Sequence, residues 1–122
     1  MKELTKAEER IMQILWGLKK GFTRDILDQF KTDKPSYTTV ATVLSVLEQK
    51  GFVNSEMLGN SKRYEPLISK EKYSDFAMSN VMGKYFEGSL SRVVSFFADR
   101  EKLDINELDE IIKILEDKKE ED

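Results

Sequence analysis

Cysteine and histidine are both missing from this 122-residue chain. Without cysteine there are no disulfides, no thiolate metal sites and no thiol-based redox sensing. Without histidine there are no histidine-dependent nucleophilic triads and no histidine-bound zinc, which leaves carboxylates, Lys, Tyr, Ser and Thr as candidate catalytic groups. Their spacing does not arrange them as an active site, so the chain does not read as an enzyme and no cofactor is expected. The acidic group Asp104, Glu107, Asp109 and Glu110 stands at an amphipathic helix start, where carboxylates cap and solubilise, and no metal site is assigned to it. A long apolar run and a signal-peptide pattern are lacking too, which makes the cytoplasm the default location. No internal repeat or low-complexity linker is visible.

What is present fits one compact domain with a small appendage: 39% hydrophobic residues fill a modest core and 35% charged residues keep it soluble. The net charge of -3 argues at first against a nucleic-acid partner. Its distribution argues the other way. Residues 1–65 carry 11 Lys+Arg against 9 Asp+Glu, and residues 66–122 carry 9 against 14. A mildly basic front half and an acidic back half suit a DNA reader whose C-terminal part faces away from the phosphates.

The stretch from Ser36 to Leu67 is the most informative. Val40, Val43, Leu44 and Leu47 recur at the i, i+3, i+4, i+7 spacing that gathers an apolar stripe on one side of a helix. The other side carries Thr38, Ala41, Thr42, Ser45 and Gln49, short groups suited to base edges in a major groove. Ser36 is placed to cap this helix and Gly51 to end it in the left-handed conformation. Directly afterwards, Phe52–Leu58 and Ser61–Leu67 flank Gly59-Asn60, a hairpin signal. Lys62 and Arg63 sit just past the hairpin tip. At a turn such a pair is ordinary solvated surface, but beside a hydroxyl-faced helix it reads as a phosphate contact.

Upstream, Thr5 with Glu8 forms a capping box for a first helix, with Ala7, Ile11, Ile14, Leu15 and Leu18 at helical spacing up to Gly21. Met12 and Trp16 lie off that stripe and are assigned to the core rather than to a partner. Thr23 is placed to cap a second, shorter helix containing Ile26, Leu27 and Phe30, and Lys31–Pro35 makes the turn into the third. The order is that of a helix-turn-helix with a wing. The expected fold is mainly α with a small β-hairpin wing: a winged helix-turn-helix domain over residues 1–68 and a helical dimerisation domain over residues 69–122.

Past Ser69 the pattern changes. Tyr73, Phe76, Ala77, Val81, Tyr85 and Phe86 share one expected helix, Gly83 and Gly88 mark a weakness and a break, and Leu90, Val93, Val94, Phe96 and Phe97 follow on another. A last helix opens at Asp104, with Glu107 in the box position, and carries Ile105, Leu108, Ile111, Ile112 and Leu115. These helices are too few and too apolar to cover their own faces. Pairing with a second copy is the economical solution, through Tyr73, Phe76, Tyr85, Phe86, Leu90, Val94, Phe97, Leu108, Ile111, Ile112 and Leu115; folding back on the N-terminal domain is the alternative. The charged tail Lys118–Asp122 is expected to fray.

Several of these pieces also resemble the penicillinase-repressor family, the BlaI and MecI type of bacterial transcriptional regulator. They are Leu4-Thr5-Lys6-Ala7-Glu8 leading to Ile14-Leu15-Trp16, Tyr37-Thr38-Thr39-Val40 with Leu44, the Leu47-Glu48-Gln49-Lys50-Gly51 helix end, and Tyr64-Glu65-Pro66-Leu67 closing the wing. The resemblance runs nearly end to end. It implies a winged helix, a C-terminal dimerisation domain and repression by occupying a palindromic operator. For members that control β-lactam resistance it also implies a membrane-bound sensor metallopeptidase as partner, which lifts repression by cutting the dimerisation region. The matching bond here lies between Ser95 and Phe96. The chain departs from the family pattern in carrying Ser95 where the junction has Asn, Val46 where members often carry a basic residue, and Ala41 where some members carry one. It also lacks the cysteine cluster of the copper-responsive branch.

Together these residues read as a dimeric DNA-binding repressor. Thr38, Ala41, Thr42 and Ser45 read bases, and Lys34, Ser36, Tyr37, Thr39, Lys62 and Arg63 hold phosphates. The rival readings are a winged helix used for protein interaction, and a ligand-responsive regulator with Tyr73, Phe76, Tyr85 and Phe86 around a small molecule. No small-molecule effector is evident.

Overall fold

The reciprocal bonds of the Thr5–Glu8 capping box start the first helix, α1 (Lys6–Leu18). It stops at Leu18, short of Gly21, because Lys19 takes a φ of 73° and donates its N–H back to the Leu15 carbonyl. The computed structural model describes residues 1–100 and 104–121. After α1 come β1 (Gly21–Phe22), α2 (Thr23–Asp28), α3 (Tyr37–Gln49), β2 (Val53–Leu58), β3 (Ser61–Pro66), α4 (Lys70–Tyr85), α5 (Leu90–Asp99) and α6 (Ile105–Glu121). By compactness the chain divides into two units, Met1–Ala77 and Met78–Asp122.

In the first unit the hairpin forms as expected, and a short strand that the sequence pattern did not reveal joins it. The order is β1-β3-β2, with Gly21 opposite Tyr64 and Phe22 opposite Arg63. The second helix also differs: Phe22 occupies its N-cap position, the Asp25 carboxylate accepts from the Phe22 N–H at 2.9 Å, and Thr23 is buried in the first turn. Phe30 lies past the end of α2. Of the two hairpin-turn residues Gly59 alone has positive φ, 64°, as in a type II′ turn.

Ile11, Met12 and Leu15 of α1, Ile26 of α2, and Val40, Leu44 and Leu47 of α3 close over Val53 and Tyr64 of the sheet and over Phe52 just before β2. Each large apolar side chain buried here contributes about 1.5–3 kcal/mol relative to exposure. Met12 is fully buried, and Trp16 packs against the cluster while its Nε1 donates to the Ile68 carbonyl at 2.9 Å. Both belong to the core, as their sequence positions indicate.

Tyr73 and Phe76, expected at a dimerising face, are instead packed in this first unit. The Tyr73 ring lies against Trp16, Phe52 and Phe76, and its hydroxyl accepts from the Leu4 N–H at 2.8 Å. The early turns of α4 therefore belong with residues that the sequence pattern assigns to the preceding domain.

A buried ion pair fastens α1 to the far end of α3. The Glu8 carboxylate, 4% exposed, is 2.7 Å from Lys50 Nζ. Burial pushes its pKa up, but the hydrogen bond from Lys50 and those with Thr5 outweigh this and hold it below the usual carboxylate value.

In the second unit, Ser89 caps α5 by accepting from the Arg92 N–H, and Asp104 caps α6 by accepting from the Glu107 N–H. Glu87 and Gly88 both take positive φ and turn the chain between α4 and α5, with the Gly88 N–H donating to the Met82 carbonyl. Phe86 meets Phe96 edge to face, and Arg100 lies 3.7 Å over the Phe96 ring. No α5 residue is buried, and Leu108, Ile111, Ile112 and Leu115 of α6 are exposed. In the charged tail, Lys118–Glu121 falls within α6, and Asp122 lies outside the described residues.

Candidate nucleic-acid interface

The helix-turn-helix of α2 and α3 presents α3 with defined ends. The Ser36 side chain accepts from the Thr39 N–H at 3.1 Å, and its hydroxyl lies 2.9 Å from the Thr39 hydroxyl. At the other end Gly51 has φ 81°, its N–H donates to Glu48 and the Phe52 N–H donates to Leu47. This is the paired Schellman pattern, and its apolar contact is supplied by buried Phe52 and Leu47. With the ends pinned and Val40, Leu44 and Leu47 fully buried, the rotation of α3 about its axis is set. Thr38, Thr42, Ser45 and Gln49 consequently stand exposed on the outer face, with Ala41 half-buried beside them.

The wing is tied to this helix by one carboxylate. Glu48 of α3 accepts a short hydrogen bond from Ser55 of β2 and lies 3.5 Å from Lys62 of β3. Lys62 and Arg63 are successive strand residues, so they point to opposite faces of the hairpin. Arg63 pairs with Glu56, its cross-strand neighbour, at 3.3 Å. Both wing cations are therefore already partnered by carboxylates, which adjacency to the turn did not reveal. Ser36 and Thr39 are likewise engaged with each other, while Lys34 stands exposed in the turn before α3.

Between the start of α2, the start of α3 and the wing runs a groove of about 260 Å³ that includes Arg24, Tyr37, Ala41, Asn60, Ser61 and Lys62. Tyr64 forms part of its wall; burial pushes that phenol above its ordinary value, with Lys62 opposing and Glu48 and Tyr37 adding. The Arg24 guanidinium lies over the Tyr37 ring at 5.5 Å. Arg24, Asn60 and Ser61 were not singled out by sequence reasoning. The signal for Arg24 was its place in the first turn of the helix before the turn, exposed between buried Thr23 and Ile26. Among the described residues no group of three or more acidic side chains is placed to hold a metal ion.

Comparison with known proteins bears on this arrangement. The penicillinase repressor of Bacillus licheniformis is 26% identical over 118 residues, covering 96% of this chain and 92% of that protein. The methicillin resistance regulatory protein MecI of Staphylococcus aureus (strain N315) is 26% identical over 117 residues, covering 95% of each. The solution structure of the DNA binding domain of the repressor BlaI superposes with a TM-score of 0.52 at 28% identity, covering 60% of this chain and 94% of that one. The structural likeness bears out the mainly helical winged-helix fold. With the penicillinase repressor family model matching residues 4–117, from the capping box of α1 into α6, the chain belongs to the penicillinase repressor family, whose members regulate transcription rather than catalyse a reaction.

Proposed function

We propose that this protein is a homodimeric repressor that reads a palindromic operator, each copy laying α3 in a major groove. The observation that carries the reading is the two-sided character of α3: an apolar side fully buried against the unit and an exposed side of Thr38, Thr42 and Ser45 with no charge to repel a base edge. Thr42 and Ser45 face bases, Ala41 approaches a thymine methyl, and Lys34, Tyr37 and the wing contact the backbone. The exposed apolar residues Leu90, Phe97, Leu108, Ile111, Ile112 and Leu115 supply the surface for a second copy, with Val94, half-buried, beside them. A two-fold dimer then sets half-sites one or more helical turns apart. Bound to chromosomal DNA, the protein works in the cytoplasm.

Relief of repression by a membrane-bound sensor metallopeptidase forms part of the same reading. Ser95 and Phe96 are exposed in α5. A peptide bond inside a helix is already hydrogen-bonded, so cleavage there requires local opening of α5.

A second reading, a winged helix that docks a protein, is favoured by one observation: α3 carries no Lys or Arg, and the wing cations are paired with Glu48 and Glu56. Fluorescence anisotropy on a duplex from the gene's own upstream region, with scrambled competitor and a salt titration, separates the two. Competitor-resistant binding that weakens with salt supports the repressor; weak binding, equal on both duplexes at every salt concentration, supports the protein-docking module.

A further inference from the structure

Phosphate binding draws on cations, and few are available where α3 meets the wing. Helix α3 supplies none between Tyr37 and Gln49. Lys62 lies 3.5 Å from Glu48, and Arg63 lies 3.3 Å from Glu56. Among the described residues Arg24 makes no ion pair; it is exposed in the first turn of α2 and borders the groove beside Tyr37, Ala41 and the wing tip. Its guanidinium carbon is 5.5 Å from the centroid of the half-exposed Tyr37 ring, within cation–π range. A guanidinium over a ring offers it one face, while its N–H donors lie in its own plane and stay available to an anion. The ring limits the rotamers of a long side chain, so less freedom is lost when the anion is met.

We propose that Arg24, braced on Tyr37, grips a backbone phosphate of duplex DNA beside α3 and is the principal cation of the groove between α3 and the wing, Lys34 in the preceding turn lying outside that groove. The inference rests on the DNA-binding reading above. Arg24 supplies the charged contact, and the Tyr37 ring positions it in addition to the contact its hydroxyl makes with the DNA backbone. The charge that α3 lacks is thus supplied from the neighbouring helix, across the helix-turn-helix.

The test compares full-length wild type with Arg24→Ala, Arg24→Lys, Tyr37→Phe, Tyr37→Leu and Lys62→Ala, using anisotropy on its upstream duplex from 50 to 200 mM NaCl. One phosphate contact contributes a slope of about 0.9 in log K against log salt, so losing one from each copy of a dimer lowers the slope by about two. Over this fourfold salt range the wild-type affinity then falls roughly tenfold further than that of Arg24→Ala. Arg24→Lys keeps the slope, Tyr37→Phe, which keeps the ring but loses the hydroxyl, retains the slope and binds more tightly than Tyr37→Leu, Tyr37→Leu binds several-fold more weakly than wild type with the slope retained, and Lys62→Ala changes the slope less than Arg24→Ala. Circular dichroism melts confirm that each variant is folded; Arg24→Lys, which retains the charge, separates loss of charge from loss of structure. An Arg24→Ala slope equal to that of wild type, or a larger effect from Lys62→Ala, overturns the assignment while leaving DNA binding intact. Absence of salt-dependent binding by wild type overturns the DNA-binding reading itself, and this inference with it.

Discussion

Replacing Lys50 by Met removes the partner of a buried carboxylate while keeping the apolar stem of the side chain. Leaving one member of a buried pair uncompensated costs about 3–5 kcal/mol in general. Here the cost is smaller for two reasons. The Lys50 side chain is one-third exposed, and Glu8 still accepts from the Thr5 N–H at 2.9 Å. An unsatisfied buried polar group costs about 1–3 kcal/mol, and that range applies. For a unit of this size each kcal/mol lowers the melting temperature by about 4–8 °C, so a drop of about 5–20 °C is expected. The pH dependence gives an independent check. Because the folded pKa of Glu8 is lowered, its contribution is complete above the ordinary carboxylate value of about 4.3 and is lost as pH falls through the folded value. Thermal melts of wild type, Lys50→Met, Glu8→Gln and the double variant, from pH 7 down to pH 3, measure both effects. The double variant is expected to be more stable than the two single losses added together. Unchanged melting of Lys50→Met at pH 7, with losses that simply add, would mean that Lys50 does not compensate the buried Glu8 carboxylate.

Further outcomes concern the interface. Glu48→Gln frees Lys62 and is expected to tighten binding to unrelated duplexes and raise the salt slope by up to about one per copy, read by anisotropy on scrambled DNA. Thr42→Leu is expected to change which sequences are bound, at about 1–3 kcal/mol per altered base pair, with the salt slope unchanged, read by competition among single-base operator variants. Ile111→Asp places a charge on the exposed apolar side of α6 and is expected to shift the protein from dimer to monomer in sedimentation and to weaken operator binding, with α3 unaltered.

Much of the first unit was legible because its signals are local. Ser36 and Gly51 delimit α3 through bonds to residues three to five positions away, and the Thr5–Glu8 box spans three. The stripe of Val40, Leu44 and Leu47 was equally plain. Features set by register were not legible. Strand β1 is two residues long and exists through pairing with Tyr64 and Arg63, far along the chain. The pairing of Lys62 with Glu48 depends on how α3 lies along the hairpin, and that of Arg63 with Glu56 on cross-strand register. Periodicity shows that Tyr73 and Phe76 face something apolar, but it does not say which partner; the hydroxyl bond to Leu4 and the Trp16 ring place Tyr73 in the first unit. Arg24 escaped notice for the same reason, since it meets Tyr37 only once the turn has folded α2 against α3.

Selection of bound duplexes from a random library by the full-length protein reports whether it reads a two-fold DNA site by sequence. One palindromic sequence is expected to be enriched, with half-sites about one helical turn or a multiple of it apart, and Ile111→Asp is expected to lose that enrichment. A pool that stays unenriched after repeated rounds at moderate salt, while the protein remains folded, would contradict sequence-specific reading of such a site.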